Sequence, residues 1–254
     1  MDRSNEKPIL EVHGVSKSFG AVQALRDVDF EVYAGEVVGL VGDNGAGKST
    51  LVKVISGVHQ ADSGEIIFEG RKVTINKPRD SVDLGIETVY QDLALCDNLD
   101  VVANLFIGRE TTRPIVGKVK GLRWLDETAM EKRAIDLLDE LHINIPSVRN
   151  IIASMSGGQR QSVAVIRSVM WNSKVVLLDE PTAALGVEQT GQVINLIQKL
   201  KERGLGVVVI SHNLEEIFDF TDRVIVLRLG RRTATFNTKT TRPEEVVAAI
   251  TGVN

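Results

Sequence analysis

Three short stretches carry side chains able to handle a phosphorylated substrate. Residues Gly42–Thr50 read GDNGAGKST and fit the phosphate-loop pattern GxxxxGK[ST]. Gly42, Gly45 and Gly47 permit tight backbone geometry and close approach of N–H groups to phosphate, with Asp43, Asn44, Ala46 and Thr50 completing the loop. Lys48 is expected to reach the β- and γ-phosphates of a nucleotide, and the Ser49 hydroxyl to ligate Mg²⁺. The second stretch is an apolar run, Val175–Leu178, ending in Asp179 and Glu180. Carboxylates at that place suit Asp179 to hold Mg²⁺ through water and Glu180 to orient or deprotonate an attacking water. In the third, Val207–Ile210 ends in Ser211 and His212. A lone histidine is usually a surface residue, but one delivered by a core strand can hydrogen-bond both a γ-phosphate and Glu180.

The elements that must position these groups are legible around them. Val37–Val41, before the glycine loop, is apolar throughout and reads as a strand buried on both faces. Leu51, Val54, Ile55 and Val58 follow at helical spacing, with Gly57 as a stop. Strand, loop and helix in that order aim backbone N–H groups and a helix dipole at an anion. Val28–Val32 alternates like a half-buried strand. Between about Leu93 and Met170 the period becomes helical. Asp100 is placed to cap Val101–Ile107, Asp126 precedes the stripe Ala134, Leu137, Leu138 and Leu141, and Val163, Ile166, Arg167 and Met170 form another. Arg109–Arg123 holds five basic residues and one acid and reads as a solvated loop or, less commonly, a docking surface. A helix around Val193, Ile194, Ile197 and Leu200, a last strand Val224–Leu227 and a terminal helix Arg242–Ile250 complete an α/β pattern with a largely parallel sheet.

Composition sets the outer bounds. The chain has 254 residues, 43% apolar, enough for a sizeable core. A net charge of −4 and an aromatic content of only 4% disfavour nucleic acid as a partner. Cys96 is the sole cysteine, so no internal disulfide can form, and it reads as an ordinary small residue. No apolar run approaches the ~20 residues of a membrane span, and the N-terminus lacks the apolar core of a signal peptide. The expectation is a cytoplasmic protein that meets a membrane only through a partner.

Taken with SGGQR (Ser156–Arg160), these stretches make the chain resemble, over nearly its whole length, the nucleotide-binding domain of the ATP-binding-cassette transporters. The resemblance implies a P-loop NTPase fold: a RecA-like, mostly parallel core, an N-terminal antiparallel β subdomain and an inserted helical subdomain. Expected bounds are 1–91 and 171–254 for the core and 92–170 for the helical part. It implies that Gln91 senses Mg²⁺ and the γ-phosphate, that Phe19 stacks on adenine, and that Ser156, Gly157, Gly158 and Gln159 face ATP bound to a second cassette. An ordinary core position is the competing reading for Phe19. Met155 stands where the family has Leu, and Gly186 replaces the usual Asp after PTAAL. The segments His13–Leu25, Gly108–Glu110, Glu180–Gly186 and Ile210–Phe218 are most similar to the simple-sugar importers of the ribose, xylose and fructose type. The implied partners are a second nucleotide-binding domain, in a homodimer or with another cassette, integral-membrane permease subunits and, indirectly, a substrate-binding protein. The place implied is the inner face of the cell membrane. Another cargo, or a cassette ATPase without a transport role, are the alternatives.

Overall fold

The computed structural model describes residues 6–114 and 123–252, which fall into two compact units. The first unit comprises the described parts of Met1–Gln91, Asn172–Ala184 and Ile197–Asn254. It begins with an antiparallel pair, β1 (Leu10–Phe19) and β2 (Val22–Val32). There follow β3 (Val37–Val41), α1 (Lys48–Ile55), β4 (Ser63–Phe68), β5 (Arg71–Val73), α2 (Pro78–Leu84) and β6 (Ile86–Val89). The second unit, Asp92–Trp171 with Leu185–Leu196, carries α3 (Val101–Phe106), the hairpin β7 (Thr112–Pro114) and β8 (Arg123–Leu125), α4 (Glu127–Glu140) and α5 (Gly157–Val169). The chain then returns through β9 (Val175–Asp179), α6 (Val187–Glu202), β10 (Gly206–Ile210), α7 (Leu214–Phe220), β11 (Arg223–Arg228), β12 (Arg231–Asn237) and α8 (Pro243–Thr251).

Two sheets make up the first unit, a four-stranded antiparallel one, β2-β1-β4-β5, and a six-stranded one, β12-β11-β3-β10-β9-β6. The latter is parallel except for β12 at its edge. Its centre is built from VVGLV and GVVVI, buried at every position, as strands covered on both faces must be. Leu51, Val52, Val54 and Ile55 of α1 share one core with Leu10, Val12 and Phe30 of the antiparallel sheet and Leu40, Leu177 and Ile210 of the parallel one. The register pairs Leu40 with Ile210 and Ile210 with Asp179, so β3, β10 and β9 end level. Whatever follows each strand therefore emerges along one edge, where open α/β sheets place their ligands.

The opposite ends of the strands are tied by charge. Arg223 donates to Glu36 Oε1 at 3.0 Å and to the Glu31 carboxylate and carbonyl, while Arg232 shares Glu31. Burial alone lowers the Arg223 pKa, but the Glu36 and Glu31 carboxylates outweigh it and hold the guanidinium above its ordinary value. Removing Arg223 would strip the buried Glu36 carboxylate of this cation, typically a loss of ~3–5 kcal/mol.

In the second unit the expected caps are in place: Asp100 accepts from the N–H of Ala103 and Asp126 from that of Ala129. Phe106 packs edge-on against Trp171, which also lies under the guanidinium of Arg133.

Three expectations need correction. Val224–Leu227 is not the last strand: β12 follows and pairs with it antiparallel. The insertion is not wholly helical, because the ends of the Arg109–Arg123 stretch pair as β7 and β8; its residues 115–122 lie outside the described part. The second unit also extends past 92–170 to take in Trp171 and Leu185–Leu196. Among the described residues no helix is long and apolar enough to cross a membrane.

Candidate functional site

The phosphate loop connects β3 to α1 in a backbone only glycine can follow. Gly42 has φ 149°, and a Cβ there would lie 2.1 Å from the carbonyl oxygen of Leu227. Gly47, with φ 105°, is the N-cap of α1, and a Cβ on it would meet Ala24 O at 2.7 Å. No side chain caps this helix, so its first N–H groups stay available to an anion. Asp43, Asn44, Gly45 and Ser49 are exposed, Thr50 is half-buried, and Ala46, Gly47 and Lys48 are buried. Lys48 curls back over the loop and donates to the carbonyls of Gly42 (2.6 Å) and Asp43 (3.0 Å). That holds the ammonium on the loop axis, where a phosphate chain cradled by it would lie.

The level strand ends bring Asp179, Glu180 and His212 to the same edge as the loop. Glu180 has φ 52°, a left-handed conformation that a non-glycine residue adopts only under constraint. The constraint is visible: its N–H donates to the carbonyl of Ile210, its carbonyl accepts from Ala183, and its carboxylate lies 2.9 Å from His212 Nδ1. The carboxylate is mostly shielded, whereas His212 is 73% exposed and leans over it from the solvent side. Ser211 is buried and accepts from the N–H of Asn213, which caps α7. A cavity of ≈ 330 Å³ lies beside the loop, bounded by Gly42–Asn44, Ser211, His212 and Leu214.

Charges here are interdependent. Burial lowers the pKa of Lys48, opposed by Glu180, Asp179 and Asp43. Burial raises that of Asp179, and the neighbouring Glu180 carboxylate adds to it, with Lys48 and Lys53 opposing. Two carboxylates and one ammonium thus share a partly desolvated edge that a cation could enter. Among the described residues no cluster of three His, Cys, Asp or Glu could hold a metal by itself. A hydroxyl from Ser49 and a carboxylate from Asp179 are the hard-oxygen donors that Mg²⁺ accepts when phosphate oxygens and water fill its other positions.

The remaining expected residues lie apart from this edge in the chain. Phe19 ends β1 and is 43% exposed, so it is not an ordinary core side chain. Gln91 is exposed and is the last residue of the first unit before the chain enters the second. Ser156, Gly157, Gly158 and Gln159 open α5 in the second unit. Ser156 caps that helix, accepting from the N–H of Gln159, whose side chain accepts from the N–H of Ser156 in return. Met155 is buried in front of them, a role its volume shares with Leu. Gly186 has open space around the position of a Cβ, so no crowding within the chain demands glycine.

The sequence did not single out Arg160, which donates to the carbonyls of Ile152 and Ala153 and so holds the turn leading into Ser156. Nor did it single out Asn104. Fully buried, Asn104 bonds the N–H and carbonyl of Cys96 and the carbonyls of Leu99 and Asp100, organising the loop that enters the second unit. Their partners are backbone groups, which leave no pattern in side-chain types.

The sequence profile of the ABC transporter family matches residues 25–183. The chain is 46% identical to the xylose/arabinose import ATP-binding protein of Sulfolobus acidocaldarius, over 96% of this chain and 94% of that one. It is 45% identical to the fructose import ATP-binding protein of Rhizobium meliloti, over 97% and 95%. A ribose import ATP-binding protein of Yersinia pestis is 36% identical over 98% of this chain but only 47% of its own length. Among solved structures, the ADP conformation of an ATP-binding cassette of an ABC transporter superposes with a TM-score of 0.81 at 27% identity, covering 97% of this chain and 96% of that one. A dimeric bacterial ABC transporter cassette gives 0.71 at 25% identity, covering 91% and 100%.

Proposed function

The chain belongs to the ABC transporter family, and we propose that it is the ATP-hydrolysing subunit that drives uptake of a simple sugar through a membrane permease. The observation that carries the chemistry is the Glu180–His212 pair standing beside Lys48 on one sheet edge. The cargo class rests on the sugar-import relatives.

In this reading the loop N–H groups and Lys48 bind the β- and γ-phosphates of ATP, and Phe19 stacks on the adenine. Mg²⁺ bound with the nucleotide would be held by Ser49, Asp179 and Gln91, and would neutralise charge on the phosphate oxygens. Glu180 accepts a hydrogen bond from the attacking water. As the new P–O bond forms, the bond from the γ-phosphorus to the bridging oxygen breaks, leaving ADP and phosphate. His212 steadies the Glu180 carboxylate through Nδ1 and presents its other ring nitrogen towards the γ-phosphate. Most of the catalysis is positioning and electrostatic stabilisation. Ser156–Gln159 of a second cassette supply further donors to the same γ-phosphate, so two chains close over two nucleotides. Closure moves the docked permease, and hydrolysis releases it. The chain thus works on the inner face of the membrane, held there by the permease and fed by a substrate-binding protein.

The test uses tagged Glu180→Gln and Lys48→Ala proteins in the native host. Glu180→Gln should bind MgATP, turn over ~10²–10³-fold more slowly, and copurify with a polytopic permease in mild detergent. Lys48→Ala should lose nucleotide affinity, and cells carrying only that variant should stop taking up labelled pentose or fructose. Ribosomes or soluble proteins alone in the pull-down, with uptake unchanged, would contradict the importer assignment.

A further inference from the structure

Phe19 is exposed at the end of β1, yet its ring is steadied from two sides. The imidazole of His59 meets it edge-to-face, with centroids 5.0 Å apart and planes at 69°. The ammonium of Lys17 stands 5.5 Å from the Phe19 centroid. Lys17 is held in turn by Asp62, which accepts its ammonium at 2.7 Å and the N–H of Ser18 at 2.6 Å, while the N–H of Asp62 donates back to Ser16. The Lys17 ammonium and the Ser18 N–H keep the Asp62 carboxyl below its ordinary pKa, so this anchor stays ionised. The backbone of His59 is also anchored, since its main-chain N–H donates to the carbonyl of Lys53 on α1. That helix begins at Lys48. The residue that meets the Phe19 ring is therefore anchored at its backbone to the helix that opens at the phosphate loop.

We propose that His59, with Lys17 and Asp62 in support, is a positioning residue that sets the orientation in which Phe19 receives the adenine ring. The proposal rests on the reading of Phe19 as the adenine platform. An edge-to-face pair restricts ring rotation, so Phe19 is held at a set angle before a base arrives. A freely turning Phe19 would have to be ordered each time a nucleotide binds.

The test compares MgADP, which carries the base, with inorganic tripolyphosphate and Mg²⁺, which does not, by equilibrium titration of the full chain. Phe19→Ala should weaken MgADP and leave tripolyphosphate unchanged. His59→Ala should weaken MgADP roughly threefold to tenfold, again without effect on tripolyphosphate, and His59→Phe should restore most of the loss. Lys17→Met should shift MgADP in the same direction by less. If Phe19→Ala weakens MgADP while His59→Ala and Lys17→Met do not, the positioning role is wrong and the adenine platform stands. If Phe19→Ala has no effect on MgADP, the platform itself is wrong and the positioning role falls with it. Equal losses for both ligands in His59→Ala would mark general damage to α1 and also overturn the proposal.

Discussion

Asp179 shows at a single residue what the site costs the fold. Its pKa is raised by burial and by the adjacent Glu180 carboxylate, so folding disfavours the ionised form relative to the unfolded chain. The ionised form is then a destabilising group. The penalty is absent below the unfolded value of ~3.9, grows as pH rises above it, and is complete once pH passes the higher folded value. Asp179→Asn should therefore melt above wild type in nucleotide-free, metal-free buffer, with a gap that opens as pH rises above ~4 and then levels off, while ATP hydrolysis is lost. A gap that is constant with pH, or of opposite sign, would contradict the electrostatic account. Such groups were legible in sequence because each follows an unbroken apolar strand: Asp179 and Glu180 after VVLL, His212 after VVVIS, Lys48 in the glycine loop after VVGLV. His59 was not legible. Nothing around position 59 distinguishes it from a surface histidine, and its significance comes from Phe19, forty residues earlier in the chain and brought near only by the pairing of β1 with β4.

At the scale of elements, buried parallel strands announce themselves and edges do not. β3, β9 and β10 are dominated by Val, Leu and Ile, and their bounds match the apolar stretches closely. β12 reads RRTATFN, has no fully buried residue, and gives neither an apolar run nor a clean alternation. β7 and β8 are three residues each and mostly exposed, so only their mutual pairing defines them. The caps Asp100, Asp126 and Ser156 were all foreseeable, since short polar side chains before a helical stripe have few other uses there. Asn104 lies inside α3, where a polar residue gives no such cue, yet it bonds Cys96, Leu99 and Asp100 from a fully buried position. Asn104→Leu should cost ~2–4 kcal/mol, because several backbone groups lose their partner at once. Amide exchange should then speed up at Cys96 in particular, whose N–H bonds to Asn104 Oδ1. Unchanged protection at Cys96 would show that the loop does not depend on this side chain.

For the whole molecule, the phosphate loop lies in one compact unit and the Ser156–Gln159 turn in the other. In the proposed dimer each ATP lies between the loop of one chain and the turn of a second. A closed two-fold dimer makes that arrangement reciprocal. Gly186 fits the same picture as a chemical change and not a steric one. Its surroundings would admit a side chain, so the Asp that the family resemblance implies at this position would meet no crowding within the chain. The most direct measurement mixes two inactive variants, Lys48→Ala and Ser156→Arg, and follows ATP hydrolysis. Each alone should be inactive. In a mixed dimer one site combines the intact loop of one chain with the intact turn of the other. An equal mixture should then recover about a quarter of wild-type activity, since half the dimers are mixed and each has one good site of two. A mixture no more active than its separate components, with both variants folded and dimeric, would show that each chain hydrolyses ATP by itself and would contradict the account.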